Sequence, residues 1–247
     1  MDNKLIFSLV LTTLLATLLQ VADADKPYLI KKAPAQPTLE GSWSEPAWAD
    51  ANILTLDNFV KRSSDHHPKV QVKLTYTDKG LFVFFRVFDK YVRCTRTDYQ
   101  ASVCGDSCVE FFVRPLKDKG YFNFEINCGG TMLLYYIEDP TSGPDGFKKY
   151  TRVPRRLGKM VRIYHSMAEI VYPEIEKDTE WTVEYYIPFA LFEEYVGSLG
   201  KISGQIWQAN FYKCADNTSH PHWASWASLQ GKLSFHLPEY FAPLRFE

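Results

Sequence analysis

The sequence has almost no excess of charge: 28 Lys and Arg stand against 29 Asp and Glu in 247 residues. A nucleic-acid binder leaves a basic footprint, and so does a polybasic membrane-surface protein; the balance excludes both classes. Long apolar runs are equally scarce. The one candidate, Leu5 to Leu19, covers about 15 residues, short of the roughly 20 that span a bilayer. It follows Lys4 and precedes Ala22-Asp23-Ala24, the small-x-small form of a signal-peptidase site. Residues 1–24 are therefore expected to be a signal peptide cut between Ala24 and Asp25, giving a secreted or periplasmic protein with no later membrane span. Removing Lys4 leaves 27 basic residues and removing Asp2 and Asp23 leaves 27 acidic ones, so the mature chain is neutral.

Cysteine is sparse too. Five residues (Cys94, Cys104, Cys108, Cys128, Cys214) form an odd set, and an oxidising compartment would allow two disulfides with one thiol left over. Two bridges among five can be drawn in fifteen ways, so spacing leaves the connectivity open. Cys104 and Cys108 have a zinc-like gap, but no second close Cys/His pair completes a zinc set. Repeats, linkers and low-complexity tracts are missing as well.

What the chain does have is rings: 17 Phe, 15 Tyr and 6 Trp. Most lie in short runs with period-two alternation, at 70–76, 81–88, 109–113, 121–127, 132–137, 160–163, 181–187, 206–212 and 240–246. Turn signals such as Asp78-Lys79-Gly80 and Ser142-Gly143-Pro144 separate them. The pattern predicts an all-β fold, an antiparallel β-sandwich with one short helix starting at Pro188 and stopping near Gly197. Residues 25–37, with three prolines, read as an extended lead-in, and residues 38–247 as the sandwich domain.

One hairpin can be put in register. If residues whose numbers sum to 235 face each other, Val109, Phe111 and Val113 meet Ile126, Phe124 and Phe122 on a wholly apolar face. The other face then sets Cys108, Glu110 and Phe112 against Asn127, Glu125 and Asn123. Two carboxylates facing each other repel unless a ligand, a cation or a basic side chain satisfies them. A solvated polar face with a nearby basic side chain is the plain expectation.

These residues resemble the carbohydrate-binding module family 9-like proteins. The segment Leu39 to Trp48 looks like the family's opening, the runs 70–76 and 81–89 are similar to its first strand pair, and Asp106-Ser107-Cys108-Val109-Glu110-Phe111 matches its core strand with one residue inserted. The segments 121–127, 181–189, 207–212 and 235–246 continue the likeness. The resemblance implies a jelly-roll or immunoglobulin-like sandwich that binds sugars without catalysis, as an accessory to carbohydrate catabolism. Aromatic faces suit the apolar C–H patches of a sugar ring, and polar side chains suit its hydroxyls. Carried over residue by residue, the family's core-strand Glu is Glu110, its neighbouring Arg falls at Glu125, one clamp Trp falls at Val103, and the other at Phe235. A third family Trp matches Trp226 of Ser225-Trp226. The expected ligand-binding residues are Glu110, Glu125, Asn127, Asn123, Phe235, Trp223 and Trp226, with carbohydrate as partner, a monomeric chain, and a structural calcium ion between the carboxylates as a possible cofactor.

Two rival readings are weaker. A glycoside hydrolase would use Glu110 and Glu125 as its carboxylate pair, but any two facing acids lie near the required separation. A metal or redox module would use His66-His67 or His220 and His222, yet Pro221 interrupts the second pair.

Overall fold

Each of the nine alternating runs overlaps a strand, and five further strands lie outside them. The structure, a computed structural model, describes residues 26–144 and 146–247. The expected signal peptide lies outside the described residues. Fourteen strands follow in chain order: β1 (Tyr28–Lys32), β2 (Ile53–Thr55), β3 (Asn58–Phe59), β4 (Lys69–Thr77), β5 (Gly80–Cys94), β6 (Cys108–Arg114), β7 (Tyr121–Asn127), β8 (Met132–Gly143), β9 (Gly146–Arg152), β10 (Arg162–His165), β11 (Val171–Pro188), β12 (Ile206–Cys214), β13 (Trp223–Ser225) and β14 (Ala242–Phe246). Two helices join them, α1 (Arg155–Gly158) and α2 (Phe189–Val196). The second is the helix expected after Pro188; the first, a single turn, is too short to leave a periodic signal.

One layer runs β10-β11-β5-β4 and the other β14-β12-β6-β7-β8-β9. Strand β1 joins them, pairing in parallel with β14 (Tyr28↔Leu244) and with β4 (Lys31↔Thr75). Within the extended lead-in expected over 25–37, residues 28–32 are thus a strand of the sandwich. Tyr28 and Ile30 are buried in the core, so this stretch closes one edge of the sandwich, and it is the parallel exception in an otherwise antiparallel fold. Its prolines flank the strand, Pro27 before it and Pro34 and Pro37 after it, where they cost no ladder bond.

The hairpin register holds at every position: Val109↔Ile126, Phe111↔Phe124 and Val113↔Phe122 face the core, and Glu110↔Glu125 lies on the other side. Both faces of the central strands are covered, however. In β5, Leu81, Val83, Phe85 and Val87 point to the sandwich interior, while Phe82 and Phe84 pack under Trp48 from the N-terminal segment. The alternation expected over 81–88 is corrected here: a strand covered on both faces reads as a continuous apolar run, and 81–85 is apolar and buried throughout. The outer face of β12-β6-β7 is likewise roofed, by the chain from Leu229 to Phe241. The facing acids are therefore buried under a roof rather than solvated.

A buried polar bridge joins the layers. Lys213 of β12, fully buried, sits 3.5 Å from Asp89 of β5 and donates to His222 Nε2 at 2.8 Å and to the carbonyl of Cys214 at 3.0 Å. His66 Nε2 lies 2.7 Å from the other Asp89 oxygen. Burial pushes the Asp89 carboxyl up, but Lys213, His66 and His222 together outweigh it and hold it well below the usual carboxylate range. Burial and the neighbouring ammonium hold His222 down at about 3, so it stays neutral and accepts the lysine proton. Of the histidines that the rival metal or redox reading would use, His66 and His222 are engaged in this bridge, while His67 stacks on Phe59 and His220 on Tyr91.

Candidate functional site

Three rows of side chains cross the outer face of β12, β6 and β7. The middle row is Tyr212, Glu110, Glu125, continued by Leu133 of β8. Above it stand Cys214, Cys108 and Asn127, and below it Asn210, Phe112 and Asn123. The middle row forms the floor of a cavity of about 230 Å³ lined by Arg62, Cys104, Glu110, Glu125, Cys214, Asp216, Trp223 and residues 233–236. Pockets for drug-sized ligands run to roughly 300–1,000 Å³, so this one suits a single ring or a chain end.

Two aromatic rings line it from separate elements. Phe235 comes from the roof and stacks on Tyr212, with ring centroids 4.1 Å apart and planes 12° apart; the Tyr212 hydroxyl donates to its carbonyl at 3.0 Å. Trp223 comes from β13, and its indole N–H donates to Asp216 at 2.7 Å. Its backbone N–H donates to Ser63 Oγ, and its carbonyl accepts from Val60 N–H at 2.9 Å. Those bonds tie down the chain around Arg62, whose guanidinium lies 4.2 Å from the centre of the Trp223 ring. Val103, where one clamp ring was expected, is buried beneath Cys108, Leu133 and Cys214; Trp223 and Phe235 pack against that same cluster.

The floor is acidic but shielded. Glu110 and Glu125 are 3% and 7% exposed. Cys214 Sγ donates to Glu110 Oε1 at 3.0 Å, and Asn123 Nδ2 donates to Glu125 Oε1 at 2.7 Å. Burial, and then the neighbouring carboxylate, push the Glu110 carboxyl well up, and burial lifts Glu125 to about 7. A protonated carboxyl both donates and accepts, which matches a neutral hydroxylated ligand.

Of the seven expected residues, the structure brings Glu110, Glu125, Phe235 and Trp223 to this cavity. The other three are placed elsewhere. Asn127 donates to the Arg96 carbonyl and to Asp106, accepts from Thr131 N–H, and is fully buried, so it closes a turn. Asn123 is buried behind the floor, where it holds Glu125 and accepts from Tyr135 N–H at 2.7 Å. Trp226 packs edge-on to Tyr28 and Phe211 and lines a different cavity, beside Asn58 and Tyr240. Alternation puts all three on plausible faces, but it cannot show which covering segment closes over them.

Arg62, Asp216, Cys104 and Cys214 were not anticipated as lining. Arg62 lies in an irregular stretch after β3 with no motif around it, and reaches the cavity only because β13 pairs with β3. A separate cleft of about 290 Å³ holds Tyr99, Arg155, Lys159 and His165. Tyr99 is the one Phe, Tyr or Trp ring in its lining, so it lacks the pair of rings that the first cavity brings together.

The sequence profile of carbohydrate-binding family 9 matches residues 47–246. No curated protein matches the chain. Among solved structures, a provisionally named carbohydrate-binding protein from Bacteroides uniformis is similar at 27% identity and a TM-score of 0.77, over 90% of this chain and 99% of that one. A family 9 module from Caldicellulosiruptor kristjanssonii in complex with cellotriose shares the fold at 13% identity and a TM-score of 0.60, over 90% of this chain and 94% of that one. A family 9 module from the same organism in complex with glucose gives 12% identity and a TM-score of 0.58, over 89% and 95%.

Proposed function

The chain belongs to carbohydrate-binding family 9, and from that premise we propose that it is an exported, monomeric, non-catalytic sugar-binding protein that serves polysaccharide breakdown. The observation that carries the reading is the meeting of Trp223 and Phe235 over the Glu110/Glu125 floor in one ring-sized cavity. Aromatic rings take the C–H face of a pyranose, the floor carboxyls take its hydroxyls, and Arg62 and Asp216 supply charged partners at the wall. The balanced charge of the mature chain fits an uncharged ligand. Glucose and cellotriose, bound by the two similar modules, are the first ligands to try.

Hydrolysis by the acid pair fits the geometry poorly. A retaining pair flanks the scissile bond, with one carboxylate ionised for attack while the other holds a proton. Glu110 and Glu125 are adjacent on one floor, each already bonded within the protein, and their pKa values are pushed in the same direction. A glycan array read beside a reducing-sugar assay tests the proposal. We expect retention of neutral glucan or xylan fragments with no sugar released; release that disappears in Glu110→Gln would establish the hydrolase instead.

A further inference from the structure

Strand pairing assembles a donor set that chain spacing conceals. Cys108 of β6 and Cys214 of β12 are direct cross-strand partners, and Glu110 stands two residues along β6 on the same face. The two Sγ atoms and a Glu110 carboxylate oxygen lie within 4.8 Å of one another, and all three residues are buried. Cys214 and Glu110 also line the cavity, so the cluster has a path from solvent. Sugar recognition uses the Glu110 carboxyl alone and gives the thiols no task.

We propose that Cys108, Glu110 and Cys214 form a site for a thiophilic divalent cation, zinc first, with the remaining coordination position facing the cavity. Tetrahedral zinc with Zn–S bonds of about 2.3 Å has sulfur–sulfur edges of about 3.8 Å, so the three ligands need to close by no more than about 1 Å. Two sulfurs among three donors select zinc or cadmium; calcium takes oxygen ligands throughout. The step is a proton-for-metal exchange with no redox change. Each thiol gives up its S–H proton and the carboxyl its O–H proton to solvent as the ion takes their place, and the site passes from neutral to a net charge of −1. Two thiolates and a carboxylate with an open fourth position is the arrangement of an ion that can accept an exogenous oxygen ligand. The inference stands apart from the sugar-binding reading, since the ion would bind with the cavity empty of sugar.

The test uses the full mature chain, reduced and stripped with a chelator, and titrated with cadmium and then zinc. Cadmium should raise the ultraviolet thiolate charge-transfer band to an end point of one ion per chain. Zinc should displace it, release protons into a weakly buffered solution, and raise the melting temperature. Cys108→Ser and Cys214→Ser should each lose most of the band. Cys94→Ser should keep it, because Cys94 lies against Gly129 and the Glu169 carbonyl, in another part of the fold. Should either serine variant fail to fold, the stoichiometric melting shift and proton release of the parent chain still decide the matter. A band that survives in Cys214→Ser overturns the proposal, as does the lack of any band while all five thiols react with a thiol reagent. Peptide mapping that finds Cys108 bonded to Cys214 in the protein as exported overturns it too, because the disulfide consumes two of the three ligands.

Discussion

Replacing Asp89 with Asn is expected to cost about 4 kcal/mol of folding stability in a denaturant titration, because it strands a fully buried ammonium. Lys213 would keep its bonds to His222 and the Cys214 carbonyl but lose the one charge that offsets its own. Lys213→Met should cost less, since the Asp89 carboxylate it leaves behind still has the His66 imidazole at 2.7 Å and accepts from the backbone N–H of Lys90 at 2.8 Å and of Tyr91 at 3.3 Å. The double variant should recover much of the loss, as two facing buried charges replaced together leave no unpaired ion. Added salt should change these differences little, because the pair is shielded from solvent.

The same bridge sets the response to acid. Asp89, with its pKa lowered, contributes stability that is present above the ordinary carboxylate range and is lost as pH falls through the lowered value. His222, held down at about 3 from 6.5, contributes stability that is complete above 6.5 and erodes as pH falls toward 3. Glu125, raised from 4.5 to about 7, works in the opposite direction between those two values. Glu110 is raised as well and His236 is held down at about 4 from 6.5, so gains and losses oppose each other between 6.5 and 4.5, and the net acid loss should set in below about 4.5 as Asp89 and the two histidines take up protons.

Asp106→Ala should cost a similar amount, about 4 kcal/mol, for a different reason. The Asp106 carboxylate is fully buried and accepts from the backbone N–H of Thr95 at 3.0 Å and of Arg96 at 2.9 Å, from the Thr95 hydroxyl and from Asn127 Nδ2. Truncation leaves these donors facing apolar surroundings, at about 1–3 kcal/mol for each group that water does not rescue. Asp106→Asn should lose roughly half as much, since one oxygen remains to accept. Circular dichroism melts of the two variants check the order. Because this clasp fixes the turn before β6, the alanine variant should also loosen Cys104 and the wall of the cavity, whereas Asp89→Asn should leave sugar affinity intact below its melting point.

The Asp106-Ser107 pair thus explains why its motif pointed to the family without marking the site. Its side chains are spent on folding: Asp106 clasps a turn, and Ser107 Oγ accepts from Arg93 N–H at 3.1 Å. The hairpin register was legible in the sequence because a slip of one residue would have turned Phe111 and Phe124 out of the core. Glu110 and Glu125 followed directly from it. What alternation could not show was the covering layer. A strand pattern says which face a side chain takes, but the roof from Leu229 to Phe241 and the arrival of Arg62 depend on pairings far apart in the chain. Trp223 and Trp226, three residues apart, differ likewise: one ends in the cavity and the other against Tyr28, and the one local cue is the polar loop 216–221 that precedes Trp223. β1 escaped notice for a related reason, since a five-residue parallel edge strand flanked by prolines carries almost no pattern of its own.

In the proposed site Trp223 and Phe235 hold a sugar over the acid floor. Calorimetric titration of a neutral oligosaccharide selected on the array into the parent chain, Trp223→Ala, Phe235→Ala and Trp226→Ala tests it most directly. Each of the first two variants should weaken binding by about 10-fold or more, the worth of roughly 1.4 kcal/mol of ring contact, with melting temperatures near the parent's. Trp226→Ala should bind as the parent does while melting lower. Parent-like affinity in both Trp223→Ala and Phe235→Ala, or loss of binding in Trp226→Ala alone, would contradict it.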